Sequence, residues 1–219
     1  MKRSRWTGSN FSVSVANIKS MRRSRRSYRM GVRAAAAAET GRRLIAAMQA
    51  LFAERRFEDI TLEAVAARAG VTLQTLLRRF GSKSGLVAAA AAEGSARVEA
   101  QRGEAPVGDA RGAVANLFDH YEEWGDVALR LLAQEERFEE IAEITRRGRA
   151  THAGWVERVF APELARCRRR VRKLRRAQLV AICDVFVWKL LRRDLGLSRQ
   201  DSEKAVLGIV EALCARGES

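Results

Sequence analysis

Apolar positions recur with helical period along most of this chain, and the period restarts several times. Leu44, Ile45, Met48, Leu51 and Phe52 repeat at three- and four-residue steps, which predicts an amphipathic helix. Phe57 and Ile60 then form a short apolar linker. Residues 61–80, TLEAVAARAGVTLQTLLRRF, hold two short helical patterns that meet at Ala69-Gly70-Val71. Thr61 suits the cap of the first helix, Ala64, Val65 and Ala69 point inward, and Gly70 supplies the left-handed residue that ends it. Thr72 suits the next cap, with Val71, Leu76 and Phe80 on the buried side. Ala66, Ala69 and Gly70 are small where the two helices must cross. The prediction is a helix-turn-helix behind a first helix, followed by a fourth whose cap is Ser82.

The exposed set on the second helix is Thr72, Leu73, Gln74, Thr75, Arg78 and Arg79. These residue types match a duplex: guanidinium and hydroxyl groups contact phosphates, Gln pairs bidentately with adenine, and Leu packs on a thymine methyl. Lys83 falls in the first turn of the following helix, where a phosphate meets a cation and free backbone amides together. Intramolecular capping alone accounts for Thr61 and Thr72, which weigh toward structure over base contact. Arg78 and Arg79 also fit a solvated face, although the neighbouring hinge favours phosphate contact.

Beyond residue 92 the amphipathic helices continue. Val114, Leu117, Phe118 and Tyr121 form one stripe, Val127, Leu131 and Leu132 a second, and Phe138, Ile141, Trp155, Val156 and Val159 a third, which Pro162 closes. Residues 179–191 are almost wholly apolar, interrupted only by Asp184 and Lys189, and predict one helix buried on more than one side. Thirteen residues are too few for a spanning helix, which takes roughly twenty, so a protein interface is expected and no membrane segment. Arg192 and Arg193 suit that helix's C-terminus and Gly196 its end. Ser198 and Asp201 make a capping box for a last helix bearing Ala205, Val206, Ile209, Val210 and Leu213.

Composition agrees with an all-α fold. Two prolines in 219 residues and abundant Ala, Leu, Arg and Glu favour helix throughout, and 47% hydrophobic content suffices for a core. The net charge of +15 implies an anionic partner, yet residues 1–33 carry ten Lys or Arg and no acid. The high charge therefore belongs mainly to a tail. Residues 1–38 lack a helical period and are expected to be disordered. Two readings of that tail stay open: an arm that clings to DNA, or a start placed too early, since Met21 and Met30 both precede the domain. No apolar core follows the charges as a secretory signal requires.

Cys167, Cys183 and Cys214 lie far apart, and with only His120 and His152 they give no metal pattern; no cofactor is expected, and a reducing cytoplasm fits. Glu135, Glu136, Glu139, Glu140 and Glu143 stand at helical spacing and read as a solvated face rather than as paired catalytic carboxylates. Arg166, Arg168, Arg169, Arg170, Arg172, Lys173, Arg175 and Arg176 form a basic run. It suits a solvated helix start answering the acidic cluster, an anionic ligand, or DNA.

The segment from Glu39 to about Ala92 resembles the DNA-binding domain of the TetR/AcrR family of bacterial transcriptional regulators. The likeness rests on Leu51-Phe52-Ala53-Glu54-Arg55, Ile60-Thr61, Val65-Ala66, Ala69-Gly70-Val71, Thr75-Leu76, Phe80 and Lys83, in matching order and spacing. Three positions depart: Arg56 stands for the usual Gly, Gln74 for a small residue, and Leu77 for an aromatic, often a phosphate-contacting Tyr. The resemblance implies a three-helix DNA-binding domain at residues 39–96 and a larger regulatory and dimerisation domain at 97–219, about nine helices in all. It implies a homodimer through the last two helices, about 174–195 and 199–214. It also implies a repressor of a partly palindromic operator whose half-sites lie one turn apart, roughly 34 Å. A small molecule bound among the middle helices would shift the fourth helix, where residues 88–92 and Gly94 are slim, and release the DNA. His120, Tyr121, Trp124, His152 and Trp155 are the pocket candidates, being rings with polar tips, although aromatics at helical spacing also serve as core. Two rival functions are a cationic binder of any nucleic acid and an enzyme. No nucleophile-base pair or Gly-rich phosphate loop supports the second.

Overall fold

The computed structural model describes the backbone of residues 15–215 and the side chains of residue 31 and residues 33–215. Residues 1–14 of the basic tail lie outside the described residues. The described residues are all-helical, as the pattern predicts. Helix α1 spans Val15–Glu54 and is followed by a 3-10 turn at Phe57–Asp59. Helices α2 (Leu62–Arg68), α3 (Leu73–Phe80) and α4 (Lys83–Gly103) complete the N-terminal set. Then come α5 (Ala110–Leu132), α6 (Glu139–Val159), the single turn α7 (Ala161–Ala165), α8 (Arg169–Ile182), the short α9 (Val185–Lys189) and α10 (Arg199–Ala215).

Contacts divide the chain into two units, residues 1–43 and residues 44–219. In the first, the Thr40 hydroxyl donates to Ala36 O at 2.9 Å and Arg42 pairs with Glu39. Residues 15–33, expected to lack regular structure, belong to α1. Their low apolar content argued against burial and not against helix, and the alanines at 34–38 are the strongest helix formers available.

The second unit holds two cores. One gathers Leu44, Met48, Leu51, Phe57, Ile60, Val65, Leu76 and Leu86 from α1 to α4. The other gathers Val114, Leu117, Phe118, Trp155, Val156, Leu179, Trp188, Val206 and Val210 from α5 to α10. The third apolar stripe serves both: Ile141 packs in the first core, while Trp155, Val156 and Val159 pack in the second. Helix α6 thus buries its two ends in different places, because 21 residues span about 30 Å, the width of a small domain.

The helix expected over about 174–195 is broken. It stops at Ile182, and α9 restarts behind Asp184, whose carboxylate accepts the Phe186 N–H at 3.0 Å. An Asp that caps competes with the helix passing through it, which the run of apolar residues had concealed. After α9 the last turn widens into a π-helical segment, Leu190–Asp194, and Gly196 at φ 66 ends it. Arg192 and Arg193 do not end as free C-terminal charges. Arg192 pairs with Glu122 of α5, and Arg193 pairs with Asp126. Half of the Ser198–Asp201 box forms: the Asp201 N–H donates to the Ser198 hydroxyl at 3.1 Å, while the Asp201 carboxylate accepts that hydroxyl at 2.7 Å rather than the Ser198 backbone N–H.

Candidate nucleic-acid interface and effector cavity

Local bonding fixes α2 and α3 firmly. Thr61 Oγ1 accepts the Ala64 N–H at 3.1 Å, and Thr72 Oγ1 accepts the Thr75 N–H at 3.2 Å. The Thr75 hydroxyl lies 3.0 Å from that of Thr72. Between the helices Gly70 takes φ 64, and the Val71 N–H donates to Ala66 O at 3.0 Å. Leu76 is 0% exposed and sets the rotation of α3. Gln74, Arg78 and Arg79 consequently face solvent, and Leu73 and Thr75 lie half-buried beside them. Leu77 is 40% exposed on this helix, so an aliphatic side chain occupies the place of the missing aromatic hydroxyl. Arg68 of α2 makes a bidentate pair with Glu54 at 2.5 and 2.6 Å, which ties the motif to the end of α1.

Lys83 is less free than its place at the start of α4 suggested. Its ammonium donates to Phe57 O at 2.7 Å and sits 4.0 Å from the centroid of the Phe57 ring. Burial pulls its pKa below the ordinary lysine value. An ammonium has three donors, so two remain for a phosphate. Phe57 is itself a junction: its N–H donates to Gln134 Oε1 at 2.9 Å, and its ring stacks on Phe52 and meets Phe138 edge-on. Ser84 donates to Glu140 across the same junction. The end of α5 and the start of α6 are therefore bonded to the turn that precedes the helix-turn-helix.

Behind this junction a cavity of about 400 Å³ lies among α1, α4, α5, α6 and α9. His120, Tyr121, Trp124 and His152 line it. Trp155 does not; it is buried beside the cavity, with its ring 6.1 Å from His152 and stacked on it. The wall is otherwise apolar, with Val98, Val127, Leu131 and Ile144 among its residues. Burial pushes the Tyr121 phenol up to about 12, and its hydroxyl donates to Cys183 O at 3.0 Å. Burial also holds His120 down at about 3 and lowers His152, so both imidazoles are neutral. His152 Nε2 lies 3.0 Å from Val180 O. A carbonyl only accepts, so that nitrogen carries the proton and Nδ1, buried without a hydrogen-bond partner, is a lone pair.

Composition did not single out Arg102, which also lines the cavity and is 5% exposed. Its guanidinium lies 5.2 Å from the Tyr121 ring centroid and 4.8 Å from that of Trp155. The available signal was its register: Ala91, Gly94, Val98 and Arg102 follow one another at helical spacing along α4, so an arginine continues an apolar face.

The acidic cluster has the wrong bias for proton donation. Glu135 is held below its ordinary pKa by hydrogen bonds from Thr145 and Arg149, Glu140 by Ser84, and Glu143 by Arg146 and Arg147. The basic run opens α8; Arg176 pairs with Glu157 of α6, and Arg175 is buried. All three cysteines are free thiols. Among the described residues no helix is long and apolar enough to cross a membrane.

Residues 44–90 match the model of the bacterial regulatory proteins of the tetR family. No curated protein matches the chain. Among solved structures it is similar to a transcriptional regulator from Rhodococcus sp. Rha1, with TM-score 0.64 and 20% identity over 82% of this chain and 98% of that one. It is also similar to a protein assigned to the TetR-family transcriptional regulators from Rhodococcus sp., with TM-score 0.61 and 21% identity over 81% of this chain and 100% of that one. A regulator from Pseudomonas aeruginosa PAO1 gives TM-score 0.63 and 19% identity over 80% of this chain and 90% of that one. At such identities these structures speak for the fold, and it is residues 44–90, the helix-turn-helix with its two threonine caps and its glycine hinge, that match the tetR family of bacterial regulatory proteins.

Proposed function

We propose that this regulator is a homodimeric, operator-specific repressor of the bacterial cytoplasm that a small molecule releases from DNA. The observation that carries the reading is the division of α3, where a fully buried Leu76 holds Gln74, Arg78 and Arg79 outside. Gln74 and Leu73 read base edges, Arg78 and Arg79 grip phosphates, and Thr61, Thr72, Thr75 and Lys83 position the helix and add backbone contacts from its rim. Two features support the dimer. Leu174 is 62% exposed on α8 and Ile209 49% exposed on α10, and small residues, Ala177, Ala181, Gly208 and Ala212, are exposed with them. An apolar face with slim residues suits a second copy of itself, and a two-fold dimer sets two α3 helices against a palindrome.

The cavity supports release. Its walls include α4, which Lys83 and Gln49 bond to the Phe57 turn and to α1. A ligand that favours the arrangement in which the two α3 helices mismatch the operator weakens DNA binding, and the operator weakens the ligand by the same factor. Selection from a random duplex pool tests the function. The expected product is a palindrome bound on the order of a thousandfold tighter than random DNA, by a protein of twice the chain mass. Equal affinity for both would make the chain a cationic binder of any nucleic acid, and a monomeric mass would remove the dimer.

A further inference from the structure

Resting on the small-molecule reading above, the geometry points to the ligand class: an organic acid whose carboxylate meets Arg102 and whose body is apolar. Arg102 is a charge buried almost completely inside an apolar cavity, and such charges persist only when paired. Among the described residues no carboxylate forms an ion pair with it, and Nη1 is buried without a hydrogen-bond partner. A side-chain hydrogen bond with Tyr121 and contact with the Tyr121 and Trp155 rings leave that Nη1 group unused. The guanidinium fork matches a carboxylate, because two parallel N–H groups meet two oxygens.

The other charged groups on the cavity wall are already engaged. Arg149 and Glu135 pair with each other at 2.8 Å, and Asp184 caps α9. The two imidazoles are neutral, so neither supplies a competing cation. Around these groups lie Val98, Val127, Leu131 and Ile144, which offer an apolar acyl or aryl body nothing but apolar surface. The cavity, at about 400 Å³, falls within the range of about 300–1,000 Å³ usual for small-molecule sites.

Calorimetric titration of the full-length chain with four probes tests this assignment: decanoate, 3-phenylpropanoate, 1-decanol and decylammonium. At least one acid should bind about tenfold or more tighter than 1-decanol, with decylammonium weakest. Arg102→Met should abolish the preference for acid over alcohol while leaving 1-decanol binding in place. Arg102→Lys, which keeps the charge, should retain part of it and guards against loss of folding as the cause. Decanoate ahead of 3-phenylpropanoate marks an acyl body, and the reverse an aryl one. Equal binding of acid and alcohol by the unaltered chain overturns the assignment, as does an acid preference that survives in Arg102→Met, or no binding by any of the four. Operator release is read separately by fluorescence anisotropy. Acid binding with the operator retained leaves the ligand class standing and removes the release mechanism.

Discussion

The backbone N–H of Phe57 donates to the side-chain oxygen of Gln134 at 2.9 Å, joining residues 77 positions apart. Gln134 is 7% exposed and its own amide donates to Arg130 O at 2.8 Å, so the end of α5 is spliced to the turn ahead of the helix-turn-helix. Gln134→Ala would leave a buried amide without an acceptor, which costs about 1–3 kcal/mol. Urea unfolding should show that loss with an unchanged m-value. A variant as stable as the parent would mean that water replaces the bond.

Lys83 and Arg78 should separate in their effects. Lys83→Met removes the bond to Phe57 O and the cation over its ring, so the chain should lose both stability and affinity for every duplex. Arg78 is exposed, and no ion pair involving it is found among the described residues, so Arg78→Ala should leave the melting temperature unchanged. Its loss should weaken operator and random DNA alike and lower the salt slope by about one. Gln74→Ala should instead change preference at one base pair, by about 1–3 kcal/mol. Binding at several salt concentrations distinguishes the three.

Gly125 makes room for a ring. A Cβ there would sit 2.5 Å from the nearest atom of Trp188, which is 1% exposed, donates to Glu122 at 3.0 Å and lies under the Arg193 guanidinium at 4.7 Å. A side chain held on three sides cannot yield cheaply. Gly125→Ala should cost about 1–3 kcal/mol through overpacking, despite the better helix propensity of alanine. Gly154→Ala is the control, since nothing lies within 4 Å of its Cβ and the same exchange should stabilise by up to about 1 kcal/mol. Thermal melts that move in opposite directions would bear this out.

What the sequence made legible was whatever local rules reach. Thr61, Thr72 and Ser82 each accept an N–H three residues ahead, and Gly70 takes its positive φ within one turn. The all-α class and the helix-turn-helix follow from such rules together with periodicity. Lys83 and Gln134 escaped them because their shared partner, Phe57, lies 26 and 77 residues away. Arg102 escaped because arginine on a helix reads as solvated unless its neighbours at three- and four-residue spacing are followed. The break at Cys183 was hidden for the opposite reason: hydrophobicity resumed directly after Asp184, and that single carboxylate decided the boundary.

His120 gives the fold a dependence on pH. Burial is the largest cause of its fall to about 3, and the nearby Arg102 and His152 add to it; its ring also lies 5.3 Å from that of Tyr121. In the unfolded chain the same imidazole titrates near 6.5, so between pH 6.5 and 3 the unfolded state binds a proton that the folded state refuses. Stability is thus complete above about 6.5 and declines on acidification, by up to about 1.4 kcal/mol per pH unit for this group. His152 shifts in the same direction and adds to the slope. The window from pH 6.5 to 5 favours the imidazoles, because hydrogen bonds hold the Glu135 and Glu143 carboxyls below the ordinary carboxylate range. His120→Gln should flatten the fall of melting temperature across that window, and a slope identical to the parent's would place the acid sensitivity elsewhere.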